Sequence, residues 1–351
     1  MRIADIQAKE ILNSAGNFTV ECKVTLSNGK SATASVPQGI SVGDEEKKPV
    51  DSKLAVDQIN KQILPLLKKE IGLSQEKLDH FLEKGNWGSN ATLSVSAAFA
   101  KCSDYFQPPT NCQLPKLLTL IFEGKKHGNR KLKIQEFMVV FSSIRQAREF
   151  YQKTKKFLEE RSDSTLVGSE GGFSPENYND FKIFKTMSKL GAEKIAIDAA
   201  ANTQPPGQFF LKRAIKKFPL AIIEDPFSEN KPKSWEKFLR SSIKINPDIL
   251  IVADDLTVTN PLKIKAGAEG KLFNAVIIKP NQQGTITKAI EAVNEARKHD
   301  LKVIVSHRGE DTNDYWVADL AVFVQADFVK FGGYSRGERI AKYNRLLELT
   351  S

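Results

Sequence analysis

Three short stretches decide the fold: P-L-A-I-I-E (219–224), I-L-I-V-A-D (249–254) and N-A-V-I-I-K (274–279). Each is a β-branched apolar run that ends in one charged residue. A continuous apolar run fits a strand covered on both faces, as in a parallel sheet. Glu224 and Asp254 lie 30 positions apart, and Asp254 and Lys279 lie 25 apart. That spacing holds a loop, a helix and a return loop, the parts of a right-handed βαβ crossover. The design recurs in K-I-A-I-D (194–198) before these strands, and in K-V-I-V-S-H (302–307) and D-F-V-K (327–330) after them. Six strands in series, each closing on a titratable group, predict a (β/α) barrel with its functional groups at one mouth.

The rest of the chain is consistent with a two-domain protein. Its 351 residues exceed one small domain. No apolar run approaches the ~20 residues of a membrane span, so no membrane partner is expected. The N-terminus lacks the apolar core of a signal peptide, and Cys22, Cys102 and Cys112 follow no metal-ligand spacing. A cytoplasmic protein with reduced thiols is expected. The formal charge is +10, but the lysines are dispersed, with no long basic run or aromatic-interleaved stripe. That argues against nucleic acid as the main partner and for steering of an anionic substrate.

Residues 2–12 and 18–36 read as strands, with the Asn28-Gly29 hairpin signal between the arms of the second stretch. Gln38–Gly43 reads as a mobile small-residue loop. Helical periodicity follows at Val56–Glu70, where Pro65 should break or kink the helix, then at Gln75–Lys84 and Ala91–Lys101. These elements predict an N-terminal α+β domain over 1–108, a linker at Gln107–Thr110, and a barrel domain over 114–351. Leu117–Ile121 and Ile134–Val140 read as the first strands of the barrel domain. Arg145–Glu159 reads as a helix, and so do Tyr178–Leu190, Gly207–Lys217, Lys233–Leu239, Thr285–His299 and Arg336–Leu347.

Asp198, Glu224 and Asp254 end successive strands, and an oxygen-only set of this kind suits a hard cation such as Mg²⁺. Each could instead pair with a barrel lysine or cap a following helix. Lys279 and Lys330 end further strands. A lysine acts as a base only if its pKa falls, through burial or neighbouring positive charge. His307-Arg308 offers an anion site, since arginine grips phosphate or carboxylate in bidentate fashion. Glu170, between glycines in G-S-E-G-G-F, is placed either for contact with a ligand or in a simple turn. Together these groups suit proton abstraction beside a carboxylate.

The chain resembles the enolase family. The resemblance is carried by A-K-E-I-L-N-S-A-G-N-F-T-V-E (8–21), V-P-Q-G-I-S-V-G (36–43), I-Q-E-F-M (134–138), V-G-S-E-G-G-F-S-P (167–175), I-E-D-P-F-S-E (223–229), V-A-D-D-L-T-V-T-N-P (252–261), I-I-K-P-N-Q-Q-G-T (277–285), V-S-H-R (305–308) and S-R-G-E-R-I-A-K-Y-N (335–344). It implies an N-terminal α+β domain on a modified (β/α)8, TIM-like barrel, assembled as a homodimer. It also implies reversible dehydration of 2-phosphoglycerate, a phosphorylated carboxylate, to phosphoenolpyruvate. Two Mg²⁺ per active site are implied, the second arriving with substrate. By position, Asp198, Glu224 and Asp254 would hold the first ion and Ser41 would help bind the second. Lys279 would be the base at C2 and Glu170 the acid at C3. Lys330 would contact the substrate, Arg308 its phosphate, and His127, Gln135, Glu136 and His307 would complete the pocket.

Several positions depart from the family pattern. S-A-G-N-F (14–18) replaces S-R-G-N-P, which takes an arginine from a segment that supports subunit contacts. Q-G-I-S-V-G-D-E-E (38–46) lacks the hydroxyls flanking Ser41. Ser169 stands for an aspartate. Gly309-Glu310 stands for Ser-Gly, which would remove a phosphate contact and place a carboxylate nearby. The connection from Asp198 to Glu224 is short. Two other readings follow from these departures: a non-catalytic binding or scaffold protein, and a related lyase or epimerase with a changed substrate.

Overall fold

A computed structural model describes residues 1–37, 39, 46–109, 113–202 and 205–349. The chain opens with an antiparallel sheet of β1 (Ile3–Leu12), β2 (Phe18–Leu26) and β3 (Ser31–Ser35). On β2 the alternating residues Val20, Cys22, Val24 and Leu26 are buried, the period-2 pattern of a half-covered sheet. Gly29 takes φ +86° in the expected turn.

Next, α1 (Ser52–Asp57) runs through a π-helical stretch, Gln58–Ile63, into α2 (Leu64–Leu67). Pro65 therefore does not end the helix. It stands at the start of α2, after a widened turn that absorbs its missing N–H. Then come α3 (Gln75–Lys84), capped by Ser74, and α4 (Ser89–Cys102), which lies against β2 and β3 and is buried along almost its whole length. Gln107–Pro109 carry no helix or strand.

The remainder alternates: β4 (Lys116–Glu123), β5 (Glu136–Phe141), α5 (Ile144–Glu159), α6 (Asp180–Lys189), β6 (Ile195–Asp198), α7 (Gln208–Lys217), β7 (Leu220–Glu224) and α8 (Pro232–Ile243). It continues as β8 (Leu250–Ala253), α9 (Pro261–Glu269), β9 (Ala275–Ile278), α10 (Ile286–Lys298), β10 (Lys302–Ser306), α11 (Trp316–Phe323), β11 (Phe328–Lys330) and α12 (Gly337–Glu348). The eight strands close in the order β10-β11-β4-β5-β6-β7-β8-β9. All neighbours are parallel except β5, which is antiparallel to β4 and β6. Reversal brings the start of β5, not its end, to the mouth. Glu136 pairs there with Asp198 and with Glu123.

Two helices are absent from the periodicity reading. In α11 every residue from Trp316 to Val322 is buried, so no polar face exists to set a period. In α9 only Ile264 and Gly267 are buried, too few to make a stripe, although Asn260-Pro261 is a proper start signal.

Each strand feeds two cores. The outward residues, such as Ile223, Ile251 and Val276, pack on the helices. The inward ones form a separate cluster that includes Leu120, Met138, Ala196, Ile222, Val252, Ile277 and Ile304. The N-terminal layer docks on the mouth side of the barrel. Lys47 N–H donates to Gln282 O at 2.9 Å, Thr92 Oγ1 to Gly284 O at 2.7 Å, and Trp316 Nε1 to Ser35 O at 3.0 Å.

Candidate active site

The mouth is built by a step of two residues along the strands. Ala196, Ile222, Val252 and Ile277 floor the barrel, and Asp198, Glu224, Asp254 and Lys279 follow two positions later on the same face. On reversed β5 the step runs backwards, from Met138 to Glu136. Above this layer lies a cavity of about 430 Å³. His127, Gln135, Glu136, Glu170, Asp198, Asp254, Lys279, His307, Arg308 and Lys330 all line it. Glu224 is buried beside it, and Ser41 lies outside the described residues.

Charges at this layer are interleaved. Lys330 Nζ is 2.8 Å from Glu224 Oε2, 3.1 Å from Glu136 Oε2 and 3.5 Å from Asp198 Oδ2. Lys279 Nζ pairs with Asp254 Oδ2. Burial pushes both ammonium groups down, but the carboxylates outweigh it and hold both above the ordinary lysine value. The lysine pKa values thus move opposite to the fall that a base needs. Burial, with Asp198 beside it, lifts Glu224 to about 8. Asp254 lies lower than usual: burial opposes this, and Lys279 brings it about.

Glu170 comes from the turn closed by the antiparallel β-bridge between Val167 and Phe173. Its carboxylate lies 3.5 Å from His127 Nδ1 and 3.2 Å from His307 Nε2. Its glycines serve the barrel rather than a ligand. A Cβ on Gly168 would fall 1.6 Å from Glu123 Oε2, and one on Gly171 (φ +89°) would fall 2.6 Å from Ser335 O. Glu123, at the end of β4 and fully buried, accepts from Glu170 N–H (2.8 Å) and Gly172 N–H (3.1 Å). Burial, then the Glu170 charge, raises its pKa to about 8.

His307 is a linker within the wall. Arg339 Nη1 lies 2.6 Å from its Nδ1. A guanidinium can only donate, so Nδ1 accepts and the ring proton sits on Nε2, facing Glu170. Burial and Arg339 push the imidazole to about 4, so it stays neutral near pH 7. Arg308 Nη1 lies 3.4 Å from Glu46 Oε2 and 3.3 Å from Asn281 Oδ1.

Glu310 is not among the residues that line the cavity with Arg308. Its Oε2 accepts from Asn13 Nδ2 (2.9 Å) and Asn17 Nδ2 (3.0 Å), and it ties the 14–18 segment to the barrel. The expectation that Glu310 sets its carboxylate beside Arg308 is therefore corrected, and the changed-substrate reading loses that support.

The donor set fits a hard divalent cation. Glu224 Oε1 and Asp254 Oδ1 are buried and receive no hydrogen bond, while the lysines take Oε2 and Oδ2. The strand-end triad is not the tightest acidic group, because Lys330 stands between Asp198 and Glu224. Among the described residues, the sets with one ligand atom each within 4.8 Å of one another are Asp225–Asp254–Asp255 and His127–Glu136–Glu170. Asp225 is committed to the backbone, accepting from Asp254 N–H (3.0 Å) and Asp255 N–H (3.1 Å).

Sequence reasoning missed Glu46, Glu123, Asp225 and Arg339. Only Arg339 carried a signal: Arg339, Lys342, Tyr343 and Leu346 follow i, i+3, i+4, i+7 and are all buried. Charges on an apolar stripe point to a polar duty inside. Strain marks another part of the site. Val258 and Thr259 take φ +43° and +57°, rare for β-branched residues and worth about 1–3 kcal/mol each. The turn they make brings Thr259 Oγ1 to accept Lys279 N–H at 2.9 Å.

The comparisons agree with this geometry. Residues 3–105 match the family model "Enolase, N-terminal domain". Residues 111–204 and 199–351 match "Enolase, C-terminal TIM barrel domain" in two pieces, with the break in the loop after Asp198. The chain is similar to the enolase of Ehrlichia ruminantium (strain Gardel), 33% identical over 405 residues, covering 99% of this chain and 96% of that protein. It is similar to that of Anaplasma phagocytophilum (strain HZ), 33% over 406 residues, with 99% and 94% covered. For that of Campylobacter jejuni the figures are 34% over 402 residues, with 99% and 96% covered. Each alignment is longer than the 351-residue chain, so these relatives carry segments that it lacks. With both domain models matched and this identity held along nearly its whole length, the chain belongs to the enolase family and is an enolase-type lyase.

Proposed function

We propose that the chain interconverts 2-phosphoglycerate and phosphoenolpyruvate in a Mg²⁺-dependent reaction. One observation carries the reading: the carboxylates, the lysine pair, Glu170 and Arg308 meet around a single cavity on an apolar floor. Asp198, Glu224 and Asp254 are the residues that would hold Mg²⁺, with Ser41 assigned by resemblance to a second ion. Bound there, the ion would take up negative charge as it builds on the substrate carboxylate.

Lys279 takes the C2 proton. Burial, Arg308 and Lys330 push its proton off, whereas Asp254, with Glu224, holds it on. A cation held by Asp254 would offset that carboxylate's charge and leave the balance with the groups that favour a free amine. Lys330, fixed by Glu136, Glu224 and Asp198, presents a permanent positive charge to the same carboxylate. Glu170 is the acid assigned to C3: burial raises its carboxyl, but His307 and His127 draw it well below the usual range, so it must first take up the proton that it passes to the departing hydroxide. Its contacts to His127 and His307 fix its rotamer, and Gln135 Nε2 steadies Asp198 Oδ2 at 3.3 Å. Arg308 grips the phosphate. Domain limits near 108 and 114, a homodimer and a cytoplasmic location belong to the same reading. Among the described residues no helix is long and apolar enough to cross a membrane.

The test is ultraviolet absorbance of phosphoenolpyruvate formed from 2-phosphoglycerate with Mg²⁺, then with excess chelator, with Lys279→Ala as control. Turnover that needs Mg²⁺ and Lys279 is expected. No turnover by folded, Mg²⁺-saturated protein would sink the reading.

A further inference from the structure

The anion-binding end of the cavity already holds an anion, and the chain itself supplies it. Glu46 is 7% exposed, and its Oε2 lies 3.4 Å from Arg308 Nη1. Its other oxygen, Oε1, accepts from Gln282 Nε2 at 3.4 Å. That amide has one possible orientation. The Glu46 carboxylate can only accept, so the amide turns its Oε1 to the Thr259 hydroxyl, 2.6 Å away, whose oxygen accepts Lys279 N–H. Only Nε2 is left to face Glu46. The backbone next to Glu46 is fixed too, by Lys47 N–H on Gln282 O at 2.9 Å. A carboxylate aimed at by an amide and a guanidinium meets the same donors, with the same sign of charge, as a phosphate oxygen would.

We infer that Glu46 is an internal occupant of the phosphate subsite, displaced from Arg308 when a phosphorylated substrate binds, and that it sets the affinity for such substrates. The inference rests on the reading of Arg308 as the phosphate anchor. Two anions on one guanidinium in a buried pocket repel each other, so phosphate and Glu46 exclude each other there. With Lys47 held on Gln282, the exchange is a rotation of the Glu46 side chain rather than a shift of its backbone. A phosphate dianion outcompetes one carboxylate, whereas a singly charged ligand gains no such advantage, so the device favours phosphorylated over merely carboxylated ligands.

The experiment titrates full-length wild type, Glu46→Gln, Glu46→Asp and Arg308→Met with inorganic phosphate by calorimetry, and measures KM for 2-phosphoglycerate. Glutamine at 46 can still accept a hydrogen bond but carries no charge, which removes this carboxylate's hold on Arg308. Glu46→Gln is expected to bind phosphate about five-fold tighter, with KM falling in parallel. Glu46→Asp, which keeps the charge but withdraws it by one methylene, should move the same way by less. Arg308→Met should bind phosphate at least about ten-fold more weakly. Unchanged or weaker phosphate binding in Glu46→Gln, with Arg308→Met still defective, would overturn the role of Glu46. Undiminished binding in Arg308→Met would instead remove the reading of Arg308 beneath it.

Discussion

The barrel interior has two layers separated by two residues along each strand, roughly 7 Å. In the lower layer, Ala196, Ile222, Val252 and Ile277 belong to one buried apolar cluster. In the upper layer, Asp198, Glu224, Asp254 and Lys279 form salt bridges, line the cavity, or do both. Both layers are buried apart from the half-buried Lys279, so burial is not what tells them apart. The lower layer gains from leaving water, while the upper layer gives up hydration for charges that pair imperfectly. The lower layer supplies stability. The upper layer draws on it, and keeps unpaired oxygens on Glu224 and Asp254 that stability alone would not retain.

Substitutions can break this contrast or sharpen it. The largest effect is expected at the top. Lys279→Ala should lower turnover about 10³–10⁴-fold while the Mg²⁺-loaded protein still unfolds cooperatively. A loss below ten-fold in steady-state assays would remove Lys279 from proton transfer. One layer down the pattern should invert: Ile222→Ala should cost about 2–5 kcal/mol in urea unfolding and leave turnover per folded molecule within a few-fold. Equal losses of activity at both levels would erase the distinction.

Below that in size comes His307. Its pKa is depressed to about 4 in the folded chain, against 6.5 for the free side chain. The stability tied to that depression is complete above pH 6.5 and disappears as pH falls through 4, since only the unfolded chain binds the proton in between. It amounts to about 3 kcal/mol. The stability difference between wild type and His307→Gln should therefore shrink by about that much between pH 6.5 and 4, in chemical denaturation run across that range. A difference that does not vary with pH would mean that His307 is not held neutral. The smallest effect is expected at Glu310. Glu310→Gln should change stability by about 1 kcal/mol or less and leave KM within two-fold, because Glu310 binds Asn13 and Asn17 rather than facing the cavity. A several-fold change in KM would return Glu310 to the anion site.

How much could be read in advance differed by region. The run of strands from 194 to 330 was legible because each has its own apolar stretch and terminal charge, and local pattern is enough to place it. The helix α3 was legible to the residue, with Ser74 marking its start. The helix α11 was not, since complete burial leaves no polar face to set a phase. The groups facing the cavity could be proposed from strand ends and from resemblance. Their partners could not: Arg339 on His307, Glu123 under Glu170 and Glu46 on Arg308 join positions 32, 47 and 262 residues apart.

By itself, the sequence determined the (β/α) series, the apolar floor and which charges end each strand, because these follow from the two-residue period of a strand. Three other things were decided only by the tertiary structure. It reversed β5, which brings Glu136 to the mouth, because a continuous apolar run such as Phe137–Phe141 reads the same in either direction. It set the protonation balance, because the lysines meet the carboxylates only when the barrel closes. It also chose between neighbours such as Arg308, which faces the cavity, and Glu310, which holds the N-terminal segment, because where a loop side chain points depends on what packs against it.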